Sequence, residues 1–283
     1  MAESSEQVSR PVAEPGLTGF VREAWLLGVR SLRRYYRVPA NPISTILFPL
    51  IQLFVFSQLF KDIVSLPGFT GGERGAAAAG APAVSYLDYL TPGQVAFVVF
   101  FAVAWSGGNL LVDWRNGFLD KLRASPVNRM AILAGELVPL FFISAAMGAA
   151  VLILAILLGA HVATGPAGFV AIVLLGGAFG IAWAGTSMVP ALLTKSEQAT
   201  GTLAMLFMPI AFMSTAFVPV ALMPDWLQTI NAWNPISHVI EAMRSLMTVG
   251  FEADVLGRAV VAIGTLLIVL QGATLWAFRR LTA

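Results

Sequence analysis

Residues 131–158, AILAGELVPLFFISAAMGAAVLILAILL, and residues 168–193, GFVAIVLLGGAFGIAWAGTSMVPALL, carry one ionisable side chain between them, Glu136. About 20 helical residues cross the roughly 30 Å hydrocarbon layer of a bilayer, and both runs exceed that length. In lipid every backbone N–H and C=O must be satisfied inside the protein, which a helix does within its own segment. The period-two alternation of a barrel strand is missing from both runs. These two neighbouring stretches therefore set the fold class as all-α and polytopic in a membrane.

Four further apolar runs flank this pair, at about 42–60, 90–111, 199–218 and 255–278, which makes six predicted spans. The composition agrees: 58% of the 283 residues are hydrophobic and 11% charged, against about 25% charged in a soluble domain. Pro49 and Pro209 fall inside predicted spans, where helix packing tolerates them, and both read as bends. Gly176, Gly177, Gly180 and Ala184 give the fourth span the small-residue spacing that permits close helix contact.

Basic residues set the orientation. Arg10, Arg22, Arg30, Arg33, Arg34, Arg37, Arg115, Lys121, Arg123, Arg129, Lys195, Arg279 and Arg280 fall on one side; Lys61, Arg74, Arg244 and Arg258 fall on the other. The positive-inside rule then places both termini in the cytoplasm of a cell (plasma) membrane protein. Residues 1–17 are polar and lack the apolar core of a cleavable signal, so they read as a disordered cytoplasmic tail. The six-span domain occupies 39–283.

Residues 18–38 form an amphipathic interfacial helix. At 100° per residue Val21, Trp25, Val29, Leu32 and Tyr36 fill a sector of about 80°, and Arg22, Arg30, Arg33, Arg34 and Arg37 a separate sector of about 120°. Such a helix lies on membrane lipid, apolar face down. Residues 61–89, with the run GAAAAGAPA, read as a flexible external loop. The segment 219–254 is too apolar for a loop and too short in each piece to span. Ile236, Val239, Ile240, Met243 and Met247 share a helical face, with Ser237, His238, Glu241 and Arg244 mostly opposite, which suits external interfacial or re-entrant helices between spans five and six.

Several function classes lose their support. No cysteine is present, so disulfides and thiolate metal sites are excluded. Two histidines offer little for a metal centre, and neither His161 nor His238 has a recognisable catalytic partner nearby in sequence. No phosphate-binding G-x-x-x-x-G-K-[ST] loop, HExxH pair or GxSxG elbow occurs. The chain reads as no enzyme, binding no cofactor and no nucleic acid. The spans are nearly empty of ionisable groups, which disfavours an ion-coupled carrier. Gln52, Gln58 and Asn109 are polar side chains left for either interhelical bonding or a substrate path.

The connection 113–130, DWRNGFLDKLRASPVNRM, is a short cytoplasmic helix with mixed apolar and charged groups, suited equally to a lipid-surface turn or a docking surface. Its continuation, GFLDKLRASPVNRMAILAGE (117–136), resembles the coupling helix of the type-2 ABC transporter permeases. FVPVALMPDWLQTINAWNPISHVIEAMR (217–244) and the basic arm before span one are similar to the same family, within its daunorubicin-exporter-like branch. The resemblance implies a permease pairing with a second permease subunit, identical or homologous, and with separate ABC ATPase subunits that carry ATP and Mg. It implies ATPase docking through Phe118, Leu119, Leu122, Arg123, Pro126 and Arg129, with the arm bearing Arg22, Arg30 and Arg33. It also implies an external gate around Pro219, Pro224, Trp226, Asn234 and Pro235. The expected activity is export of an amphipathic drug, antibiotic or lipid. An ATPase-binding scaffold or sensor and an ion-coupled carrier are the alternatives.

Overall fold

The computed structural model describes residues 17–37, 40–60, 85–117 and 129–282, and among them all regular structure is helical. The elements are α1 (Leu17–Arg37), α2 (Ala40–Leu59), α3 (Tyr86–Ala104), α4 (Ser106–Arg115), α5 (Arg129–Leu157), α6 (Gly165–Thr194), α7 (Glu197–Met205) and α8 (Met208–Phe212). After a 3-10 turn at Val220–Leu222 come α9 (Asp225–Trp233), α10 (Pro235–Thr248), α11 (Ala253–Leu266), a π-helical segment Leu267–Gln271, and α12 (Gly272–Thr282). Four stretches are long and apolar enough to cross a membrane: Tyr86–Arg115, Leu133–Leu157, Gly165–Thr194 and Ala253–Arg280; Ile43–Leu59 is a shorter apolar helix.

The pair that decides the fold, α5 and α6, packs antiparallel across a short turn. Small residues of α6 make this contact close: Gly177 lies under the Phe141 ring, Gly180 against Ser144, and Gly176 faces Val95 and Val99 of α3. The fourth predicted span is thus wedged between α5 and α3. Pro at the first turn starts α6, and Lys195 ends it in the left-handed conformation at φ 55°. Ser85 and Asp88 close a reciprocal capping box on α3, satisfying donors the first turn leaves open.

Helix α2 also follows α3 antiparallel, since Phe48 meets Phe101 and Phe60 meets Tyr86. Pro49 sits inside α2, as expected. The predicted 90–111 span extends over 86–115 and is interrupted at Trp105, where α3 gives way to α4.

Residues 199–218 depart from expectation. They are two short helices and a turn, not one bent helix, and Pro209 stands in the first turn of α8 rather than at a kink. The physical reason is local: proline has no N–H to bond back into α7, but it fits a helix start. Ser214 then donates to the carbonyl of Ala211, an alternative to continuing the helix. The segment nonetheless keeps company with α3 and α4. Gly201 lies against Trp105, Phe212 packs on Phe97, and Thr215 and Phe217 accept hydrogen bonds from Tyr89 and Tyr86.

The 219–254 segment forms α9 and α10. Trp226, Ile230 and Trp233 of α9 are exposed. In α10 the expected apolar face is buried, but Ser237 and Arg244, placed opposite it by the sequence pattern, are buried too. Helix α10 is packed between α3, α6 and α11, so it has little outward face to keep polar.

Candidate functional site

Two regions gather polar side chains, one at each end of the bundle. The first is the basic end. Helix α1 crosses α5 where Gly28 meets Val138 and Gly135 meets Leu27. Ala24, Gly28 and Ser31 are the buried face of α1, while Val21 and Trp25 of its apolar stripe are exposed. Ser31 Oγ donates to Glu136 Oε1 at 3.3 Å, and Arg30 Nη1 lies 3.7 Å from Asp113 Oδ2 near the end of α4. Arg115 Nη1 donates to Glu197 Oε1 at 2.7 Å, and Lys195 Nζ lies 5.1 Å above the Trp114 ring. Leu110, Leu192, Ala277 and Phe278 form a small core here, against Leu27 and Trp114.

Helices α1, α4, α5, α6, α7 and α12 therefore meet around the two ends of the 118–128 connection. Arg22, Arg30 and Arg33 are exposed. Of the predicted docking residues, Phe118, Leu119, Leu122, Arg123 and Pro126 lie outside the described residues, as do the tail 1–16 and the loop 61–84; Arg129 opens α5.

The second region is the break after α8. Where a chain leaves helical geometry its carbonyls lose their intrahelical partners, and in lipid other protein groups must supply donors. Here they come from three side chains. Arg244 Nη2 donates to Thr215 O at 2.6 Å, and Tyr89 OH donates to the same oxygen at 3.1 Å. Tyr86 OH donates to Phe217 O at 3.4 Å. Arg244 Nε also donates to Tyr89 O at 3.3 Å, and its guanidinium lies 3.8 Å from the Tyr89 ring centre. Gly93 takes the backbone of Ala216 so closely that a Cβ would strike it.

Asn234 completes the arrangement. Its Oδ1 accepts from Ile236 N, capping α10, and its Nδ2 donates to Ile210 O in α8 at 2.9 Å. Pro235 occupies the first turn of α10, Pro219 is buried beside the break, and Pro224 and Trp226 are exposed. The predicted gate residues thus divide: Pro219, Asn234 and Pro235 belong to the packed break, and Pro224 and Trp226 to the surface. Arg244, Tyr86 and Tyr89 were not predicted. Two tyrosines at the mouth of an apolar run and a lone arginine beyond the fifth predicted span are the only hints in sequence. Buried Asp88 was also missed; its oxygens accept from Ser85 and from His161 N at 2.7 Å.

The path candidates are not brought together: Gln52 is buried on α2, whereas Gln58 and Asn109 are exposed on α2 and α4. Among the described residues no three His, Asp or Glu side chains group as metal ligands.

Four helices long and apolar enough to cross a membrane mark an all-helical membrane protein among the described residues. Residues 22–248 match the ABC-2 type transporter family, and the chain belongs to it. It is 29% identical over 246 residues to "Daunorubicin resistance ABC transporter permease protein DrrB1" of Streptomyces coeruleorubidus, covering 86% of this chain and 80% of that protein. It is 28% identical to "Putative transport permease ycf38" of Cyanophora paradoxa, over 80% of this chain and 74% of that one, and 27% identical to its namesake in Pyropia yezoensis, with the same shares covered.

Proposed function

We propose that this chain is the permease subunit of an ATP-driven exporter that moves an amphipathic drug, antibiotic or lipid out of the cytoplasm or inner leaflet of the cell membrane. Separate ABC ATPase subunits, holding ATP and Mg, dock at the basic end, and a second permease subunit pairs with this one. The observation that carries the reading is the convergence of six helices around the residues that flank 118–128. A push on that connection reaches α4 and α5 directly, and α1 through Arg30–Asp113 and Ser31–Glu136. Exposed Arg22, Arg33, Val21 and Trp25 suit α1 to anionic lipid.

Six passes are part of this proposal. The support for the fifth is that 197–217 accompanies α3 and α4 from Trp105 to Tyr86, and the support for the first is the antiparallel run of α2 beside α3. With an even number of passes both termini are cytoplasmic, in line with the basic end facing inward. In this frame α9 and α10 are the external re-entrant pair, and the Arg244-capped break is the gate.

The test is co-purification in mild detergent with the neighbouring ATPase, for wild type and for Leu122→Asp with Arg123→Glu. Retention by wild type and at least tenfold loss in the variant is the expected result. Failure to retain any ATPase would remove the energy source and overturn the reading. Retention without substrate-stimulated ATP hydrolysis would leave a scaffold or sensor.

A further inference from the structure

The stretch Ala253–Arg280 is long enough to cross a membrane but is not one uniform helix. Between α11 and α12, at Leu267–Gln271, the turn widens to π-helical hydrogen bonding. A π turn takes up one residue more than an α turn, and helices bend where one is inserted. The two halves it joins have different partners. Val255 and Ala259 of α11 close on Ala242 of α10, and residues 249–252 alone separate those two helices, so α10 and α11 form a hairpin. Ala277 and Phe278 of α12 close instead on Leu27, Leu110 and Leu192 at the basic end.

Helix α6 braces the joint. Gly185 approaches so closely that a Cβ there would overlap the backbone of Leu270. One turn earlier on α6, Ile181 O accepts from Gln271 Nε2 at 2.6 Å, while Gln271 Oε1 is buried without a hydrogen-bond partner. The other side of the joint is open, with Leu267, Ile268 and Val269 exposed. In a bilayer that side meets acyl chains, which hold no one turn geometry in place. The joint thus has a close backbone contact to pivot on, a single side-chain hydrogen bond across it, and a free outer face.

We infer that the π segment is a hinge on which the α10–α11 hairpin swings against the rest of the bundle, with Gln271 as its latch to α6. The swing acts through Arg244. The hairpin carries this residue, whose Nη2 donates to Thr215 O, so tilting the hairpin draws the guanidinium away from the break after α8. Hinge motions of this kind are absorbed by a few residues at the ends of elements. The hinge is a property of the chain by itself, and neither it nor its test depends on an ATPase or on the permease reading.

The full-length chain carries no cysteine, so single thiols report on it in lipid nanodiscs through their rate of labelling by N-ethylmaleimide. Thr215→Cys places the thiol in the break; Ala259→Cys, at a fully buried position inside the hairpin, is the control. Deleting Ile268 removes the residue that the π turn takes up, so the joint closes to α-helix while α11 and α12 keep their faces. The deletion is expected to slow labelling at residue 215 about fivefold, and Gln271→Leu, which removes the latch, to speed it about fivefold, the worth of one hydrogen bond. Labelling at residue 259 should stay within about twofold in both, because the hairpin moves as a unit. Rates at residue 215 that neither change alters overturn the hinge. Parallel changes at 215 and 259 also overturn it, since they would mean a general loosening of the bundle. If the chain lacking Ile268 does not give a monodisperse peak in size-exclusion chromatography, Gln271→Leu decides alone: acceleration confined to residue 215 supports the hinge, and no acceleration overturns it.

Discussion

Helix α6 and the broken segment 197–219 belong to the same bundle on opposite principles. Helix α6 is one helix of 30 residues whose backbone satisfies itself, and its glycines let neighbours press against it. The segment 197–219 stops twice, and the carbonyls of Thr215 and Phe217 depend on Arg244, Tyr89 and Tyr86 from other parts of the chain. The first is stabilised by many small contacts that no single side chain controls. The second, besides its aromatic packing, relies on a few named hydrogen bonds where its helix stops, and a segment of that kind can change conformation at modest cost.

The largest effect should come from spoiling the tight element. A Cβ at Gly180 would overlap the Ser144 side chain, whose own Cβ leaves it no room to turn away. Gly180→Val should therefore force α5 and α6 apart and destabilise by about 3 kcal/mol, read as a lowered thermal midpoint or loss of a monodisperse peak in size-exclusion chromatography. A variant as stable as wild type would show that α6 is not the rigid partner in the comparison.

The second effect targets the break and exploits the absence of cysteine. Thr215 is 1% exposed and its Oγ1 has no hydrogen-bond partner, so Thr215→Cys introduces one buried thiol without removing a bond. Ser144→Cys, at an equally buried unbonded hydroxyl on α5, is the control. Arg244→Met removes two hydrogen bonds and the contact with the Tyr89 ring, worth about 2 kcal/mol together. Combined with each thiol variant in turn, it should let maleimide label the thiol in the break about 30-fold faster and leave the control thiol on α5 unchanged. Equal acceleration at both sites would mean that Arg244 supports the whole bundle, and the contrast between the two elements would fail.

How far the sequence showed this contrast depends on what each element rests on. The α6 span, its small-residue stripe and the apolar spacing of α10 are periodic properties of composition, and they appear in the structure where expected. Hydropathy weighs residues by transfer from water, so AFMSTAFVPV at 211–220 reads as span although it does not continue a helix. The same weighing set Arg244 and Ser237 on a polar face; their burial comes from α3 and α6, distant in the chain. The basic end was legible as a cluster of charge, but the pairing of Arg30 with Asp113 required the fold.

The smallest effect isolates a single bond in the break. Tyr89→Phe keeps the ring, and with it the 3.8 Å contact to the Arg244 guanidinium and the stacking on Tyr86, and removes only the hydroxyl that donates to Thr215 O. The carbonyl of residue 215 still accepts from Arg244 Nη2, so it is not left bare, and the loss is one neutral hydrogen bond of about 1 kcal/mol. In the Thr215→Cys background, labelling of the thiol should accelerate about fivefold, well short of the Arg244→Met effect. The combined variant separates two physical pictures. If both side chains act by holding one oxygen, Tyr89→Phe with Arg244→Met exposes that oxygen fully, and labelling should exceed the product of the two single effects. Strict multiplication would instead show that Arg244 and Tyr89 hold the break independently, with the shared carbonyl contributing little.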